Sequence, residues 1–354
     1  MNVVSIAVSG ASGVVGQRLL PVLAADPVVS RLVGLDMRPP RRRARNLEFH
    51  LVDVARSELK PLLEGIDVLV HLASVVDPIV DETLMAHVNV DGTRRALDAA
   101  AAVGIRKVVR VSSAAVYGAW ANNAVPLSED SPLRPNPGFS PAVQAAEVER
   151  LLAEWGEDHP AVTVTTLRSA PVLGPGAERL PSRLLLGRPR LRVRGARPAV
   201  QAVHVDDLVS ALALVVLDDH RGTFNVASDG WLDPAAVDAL VARRGLPALP
   251  RQLLERLLGL LWRTGVGDVP PGVLPYLTHP WVIANDRVRG IGWVPRHGND
   301  AAIVDGLDSL GPPRSTRPLV VLAAGALGGA AVTAWLLGRW LRRGGRSATR
   351  PSRA

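Results

Sequence analysis

Short apolar runs alternate with segments of helical periodicity through the first half of the chain. The runs at 3–8, 31–35, 47–52, 67–72, 106–112 and 162–167 are nearly continuous in Val, Ile and Leu. Strands buried on both faces read this way. The segments between them predict helices over 14–25, 55–63, 80–102 and 141–156. Strand following helix in this order predicts an α/β fold, a doubly wound parallel sheet of the Rossmann-like kind. Right-handed crossovers then collect the strand C-termini, and with them any ligand crevice, on one edge. After about 175 the alternation breaks. Residues 176–203 are rich in Arg, Pro and Gly, a strand–helix piece returns at 200–217, and Thr223 to Val226 reads as a last strand. The expected organisation is a first domain over 1–175 completed by about 200–228, and a smaller interleaved lobe from 176–199 and 229–310. A Pro-rich linker follows at 311–317.

The last apolar segment is of a different kind. Residues 318–338 hold 21 residues without a charge, long enough as a helix to span about 32 Å against a hydrocarbon core of about 30 Å. Trp335 and Trp340 sit near its end beside Arg339, Arg342 and Arg343, as interfacial anchors do, and Gly325 with Gly329 forms a small-residue pair suited to close helix pairing. This predicts a C-terminal hydrophobic helix crossing a membrane. The alternative is an Ala- and Gly-rich terminal helix packed in a soluble homodimer. A leaderless N-terminal domain kept in the cytoplasm would place the basic tail 339–354 on the far side, against the positive-inside tendency.

Between the first run and the first helix lies Gly10-Ala-Ser-Gly13-Val-Val-Gly16. A glycine-rich turn from a strand into a helix cradles a dinucleotide pyrophosphate. Gly10 permits the tight turn, Gly13 lets backbone approach the phosphate, and Gly16 lets the helix pack closely. Asp36 ends the second run at the distance where a carboxylate accepts hydrogen bonds from ribose hydroxyls. This favours NAD over NADP, whose 2′-phosphate it would repel, while Arg38 and Arg41 to Arg43 pull the other way.

Composition narrows the chemistry. The chain has 354 residues, 47% of them apolar, and no cysteine, which excludes disulfides and thiolate metal sites and leaves no metal-binding pattern. The formal charge of +8 is concentrated in clusters without interleaved aromatic residues, so nucleic acid is not an expected partner. Lysine occurs only at Lys60 and Lys107, and tyrosine only at Tyr117 and Tyr276.

With these motifs the chain resembles the extended short-chain dehydrogenase/reductase family, the NAD-dependent epimerase/dehydratase group, over about residues 3–310. Beyond the glycine turn, the resemblance is carried by Asp53-Val54, His71-Leu72-Ala73, Asn89-Val-Asp-Gly-Thr93, Ser112-Ser113-Ala-Ala-Val-Tyr117-Gly, Arg168-Ser-Ala-Pro171 and His204-Val-Asp-Asp207. It implies cofactor contacts at Gly10, Ser12, Gly13, Val14, Val15, Gly16, Asp36, Asp53, Val54, Leu72, Ala73, Ser74, Asn89, Ser112 and Pro171. His71 and His204 read as hydrogen-bonded packing residues, and Tyr117 as architecture.

The resemblance also implies chemistry that the residues do not supply. In the family, the position of Ser113 steadies the reacting oxygen, and a Tyr-x-x-x-Lys pair passes the proton and binds ribose. A cation beside a phenol of ordinary pKa near 10 brings it into working range. Here the matching positions are Pro141 and Ala145, with Ser140 placed to cap the helix that Pro141 starts. The acidic pair that dehydratase members use is replaced by Ala114 and Ala115. Lys60, near the end of an early helix, and Lys107, at the start of the fifth strand, are not expected to reach the site. Two readings follow. One is a membrane-tethered NAD-binding protein with a degenerate site, acting as a sensor or scaffold. The other is an active oxidoreductase or epimerase on a sugar nucleotide, lipid-linked sugar or hydroxysteroid, with a substitute such as Tyr276.

Overall fold

Ile6 and Val8 face one side of the first strand and Ala7 the other, and all three are fully buried. That two-sided burial organises the molecule. The computed structural model describes residues 3–309 except 42, 43, 45, 178, 187–190 and 242–247. The segment 318–338 and the basic tail lie outside the described residues. No helix among the described residues is long and apolar enough to cross a membrane.

The chain runs β1 (Val4–Ser9), α1 (Val14–Ala25), β2 (Val29–Asp36), β3 (Leu47–Leu51), α2 (Lys60–Leu63), β4 (Val68–His71), α3 (Glu82–Ala86) and α4 (Gly92–Val103). It continues through β5 (Lys107–Ser113), α5 (Ser140–Asp158), β6 (Thr163–Ser169), β7 (Val172–Leu173), α6 (Leu180–Leu186), β8 (Val203–His204), α7 (Val205–Leu217) and β9 (Gly222–Val226). The last part holds α8 (Pro234–Val241), α9 (Arg251–Arg263), α10 (Asp286–Gly290) and α11 (Asn299–Ser309).

Seven strands form one sheet in the order β3-β2-β1-β4-β5-β6-β9, every pair parallel. One face packs Ile6, Val8 and Val109 against Leu19 and Leu23 of α1 and Leu208 and Leu212 of α7. The other packs Ala7, Leu69 and Val108 against Leu97 of α4 and Val148 and Leu152 of α5. The strand order reverses between β1 and β4, which opens a crevice beyond their C-terminal ends. A smaller cluster of Ala115, Phe139, Ala142, Leu184, Val273 and Tyr276 joins the segments after β5 to those near residue 275.

Two expected helices differ. The helix over 55–63 is present only from Lys60, so Lys60 opens it rather than closing it. Asp53 accounts for the loss: its carboxylate accepts the Ala55 N–H at 3.0 Å, and its carbonyl accepts from Arg56 and Ser57, which holds the chain in a turn. The helix over 80–102 is interrupted by a π turn at His87–Asp91 between α3 and α4. A π turn inserts one residue into the helical ladder and re-aims its neighbours, and here it carries Asn89.

Candidate active site

The glycine turn holds the geometry that its spacing predicts. Gly10 has φ +71°, and a Cβ there would lie 2.6 Å from the Ala73 nitrogen. The Gly16 Cβ would fall 2.5 Å from the Gly10 carbonyl oxygen, so the helix packs on the turn itself. Gly13 precedes α1 and no side chain caps the helix, which leaves the first-turn N–H groups available to an anion. Beside this turn, Asp36 accepts hydrogen bonds from the N–H groups of Ser12 and Arg38, both at 3.0 Å. A carboxylate has capacity for further donors, so two ribose hydroxyls can still be accepted.

A cavity of about 980 Å³ runs from this turn across the sheet edge. It brings together Gly10, Gly13, Val14, Val15, Gly16, Asp36, Asp53, Val54, Leu72, Ala73, Ser74, Asn89, Ser112, Ser113, Pro141, Ala145 and Pro171. Ser12 is the exception among the expected cofactor residues. It is buried below the rim, and its hydroxyl donates to the Arg38 carbonyl at 2.6 Å, so it shapes the loop. Ser112 borders the cavity, but its hydroxyl is taken up by Glu149 of α5. Asn89 braces the walls: its Oδ1 accepts the Val75 N–H at 2.7 Å, and its Nδ2 donates to Gln144 Oε1 at 2.9 Å.

At the other end of the cavity, Ser113 Oγ accepts the Ala115 N–H at 3.2 Å. Pro141 lies in the first turn of α5, and Ala145 one turn later. Ser140 does not cap this helix; its hydroxyl donates to Glu82 Oε1 at 2.5 Å, because Phe139 occupies the cap position. Lys107 Nζ donates to the Asp218 carbonyl at 2.8 Å, at the opposite end of β5 from Ser113. Lys60, at the start of α2, is absent from the lining.

From the sequence Tyr276 stood only as a substitute acid–base, and Arg110 and Glu149 were left out of the site. Tyr276 enters the lining, with its hydroxyl donating to the Ala115 carbonyl at 2.8 Å and its ring 5.2 Å from that of Phe139. Burial pushes its phenol well above the usual tyrosine range. Arg110 of β5 also lines the cavity while only 4% exposed. A charge inside a strand predicted to be buried on both faces is the signal that could have found it. Glu149 of α5 anchors a buried network: it binds Arg168 at 2.7 Å, and Arg168 donates to the Tyr117 hydroxyl at 2.7 Å. Tyr117 in turn donates to Asn225 at 2.8 Å, so it serves architecture, as expected.

The histidines pack as expected. His71 Nδ1 is 2.7 Å from Ser9 Oγ and Nε2 is 3.0 Å from Thr93 Oγ1. Desolvation lowers its pKa to about 3, helped by the nearby Arg110 charge. His204, His297 and Asp305 bring ligand atoms within 4.8 Å of one another, but the two imidazoles stack with centroids 4.0 Å apart. Their in-plane lone pairs therefore do not converge on one point. His204 Nδ1 also accepts the Asp206 N–H at 3.2 Å, which leaves the ring proton on Nε2.

A parallel sheet with a glycine turn at its switch point and an acid at the next strand end defines a nucleotide-crevice α/β protein. The chain belongs to the NAD dependent epimerase/dehydratase family, whose model matches residues 6–227. An uncharacterized protein of Mycobacterium tuberculosis is 28% identical over 236 residues, 64% of this chain. The match spans 62% of that protein, less than two thirds of its length. The UDP-glucose 4-epimerase of Azospirillum brasilense is 28% identical over 92% of this chain and 96% of its own. Among solved structures, MoeE5 in complex with UDP-glucuronic acid and NAD superposes with a TM-score of 0.68 at 23% identity, over 86% of this chain and 98% of its own.

Proposed function

We propose that this chain binds NAD in the crevice and lacks the family's proton relay, so that it acts through nucleotide binding rather than turnover. One observation carries the reading: Pro141 and Ala145 border the same cavity as the glycine turn, Asp36 and Ser113. The place for a dinucleotide is kept while the side chains that would move a proton are missing. Loss of a positioned acid–base group removes a factor of about 10²–10⁴ in rate. Asp36 favours NAD over NADP. The family relatives named for UDP-sugar chemistry support a sugar nucleotide as the second ligand. From the sequence, the uncharged segment 318–338 and its Trp and Arg flanks support attachment of a cytoplasmic domain to a membrane. Fractionation of the chain with and without 318–354 tests that part; equal solubility of the two forms contradicts it.

The main test is calorimetric titration of the purified protein with NAD and NADP, followed by a deuterium-exchange screen on UDP-glucose and UDP-glucuronic acid. Saturable NAD binding without exchange is expected. Exchange that disappears in Ser113→Ala would contradict the proposal. A second reading, an active oxidoreductase or epimerase, draws on Tyr276, whose phenol reaches the cavity. Against it, that phenol is held by a main-chain carbonyl and its pKa is raised rather than lowered. Exchange lost in Tyr276→Phe would favour this second reading.

A further inference from the structure

Among the described residues, Arg110 is a cation without a partner. Its Nε is buried with no hydrogen bond, and among the described residues the guanidinium makes neither a hydrogen bond nor an ion pair. Glu149, the carboxylate whose charge it feels, is already engaged by Ser112 and by Arg168. Desolvation lowers the Arg110 pKa to about 10, yet leaves it charged at neutral pH. A buried charge left this way is strongly unfavourable unless something accepts its protons. Its neighbour Arg168, on the adjacent strand, has an acceptor at each guanidinium nitrogen, so the vacancy at Arg110 is specific to that site.

Topology says which acceptor fits. Alternation along β5 puts Arg110 on the face of Val108 and Ser112, toward α4 and α5. Glu149 of α5 faces the same space, and Ala145 stands one turn earlier on the same side of that helix. Arg110 and Ala145 both line the cavity. The cavity crosses the switch point from the β1–β2 side, with Asp36, to the β4–β5 side, with Ser113. A dinucleotide laid across it puts its adenosine half on Asp36 and its second ribose on the β4–β5 side.

We propose that Arg110 replaces the absent lysine as the cation that holds the hydroxyls of the nicotinamide-side ribose, reaching them from the strand below instead of from the helix. This rests on the reading that the cavity binds NAD. It is a binding role, since a guanidinium placed under the ribose anchors the cofactor but has no phenol to activate. The helix and the strand would thus exchange duties across one space: α5 gives up the cation and β5 provides it.

The test is calorimetric titration of the full chain and of Arg110→Met with NAD, ADP-ribose and ADP. ADP lacks the second ribose and serves as an internal control for folding. We expect Arg110→Met to lose about tenfold or more in affinity for NAD and ADP-ribose, the size of a hydrogen bond to a charged group, with ADP unchanged. The double variant Arg110→Met/Ala145→Lys, which returns a cation from the helix, should recover ADP-ribose binding. Unchanged NAD affinity in Arg110→Met overturns the proposal, as does an equal loss for all three ligands. Unaltered protein that binds none of the three refutes the NAD reading itself, an outcome distinct from failure of the Arg110 assignment.

Discussion

The two ends of the crevice are built to different standards. Around β1 and β2, every feature that holds an anion and a ribose is in place: the positive φ of Gly10, the uncapped start of α1, and the carboxylate of Asp36 braced by two N–H groups. Around β5 and α5, Ser113, Pro141 and Ala145 border the cavity, and on the proposed reading the family's proton-relay side chains are absent there. Backbone geometry is fixed by packing across the whole sheet, so it persists when single side chains change. Proton transfer depends on two or three side chains and vanishes with them.

The first way to break the contrast is at the well-built end. Gly10→Val adds a side chain where φ is +71° and backbone lies 2.6 Å away. We expect a loss of about 3 kcal/mol or more in stability by chemical denaturation, with NAD binding abolished. A variant of normal stability that still binds NAD would mean the turn is not the cradle.

Next come the two buried arginines. Glu149→Gln strips Arg168 of its carboxylate and should cost about 3–5 kcal/mol. Arg110→Met removes an unpartnered charge, so the ligand-free protein should gain stability, by about 1 kcal/mol. Thermal unfolding without cofactor distinguishes the two signs.

The acid limb of the stability curve gives a graded effect. His71 titrates near 3 when folded and near 6.5 when unfolded. Below pH 6.5 the unfolded chain therefore binds more protons than the folded one. The contribution is complete above pH 6.5 and falls as the pH drops toward 3, by about 1.4 kcal/mol per unit. His71→Asn should flatten this limb in denaturation curves taken from pH 7 to 4. The smallest change is Asp36→Asn, expected to weaken NAD about fivefold and to narrow its advantage over NADP in paired titrations.

The strands of the sheet were readable because continuous apolar runs identify a layer buried on both faces. The runs 3–8 and 162–167 fall within a residue or two of β1 and β6. The glycine turn and Asp36 were readable because their spacing is local. Local side-chain bonds hid the turn at Asp53, and the π turn at Asn89 hid in an unbroken helical pattern. Tyr276 was named from the sequence as a substitute acid–base, but the contact that fixes it to Ala115 joins positions 161 residues apart and shows only in the fold. Arg110 was visible as a charge in an apolar run, but its lack of a partner exists only in three dimensions.

The central claim is that the cofactor is held and the hydride step is not supported. It is tested most directly by loading the protein with NAD, mixing it with UDP-glucose or UDP-glucuronic acid in a single turnover, and following the absorbance of reduced nicotinamide. The account predicts one NAD bound per chain and no reduction. Reduced nicotinamide that accumulates in the unaltered protein and not in Ser113→Ala would contradict it.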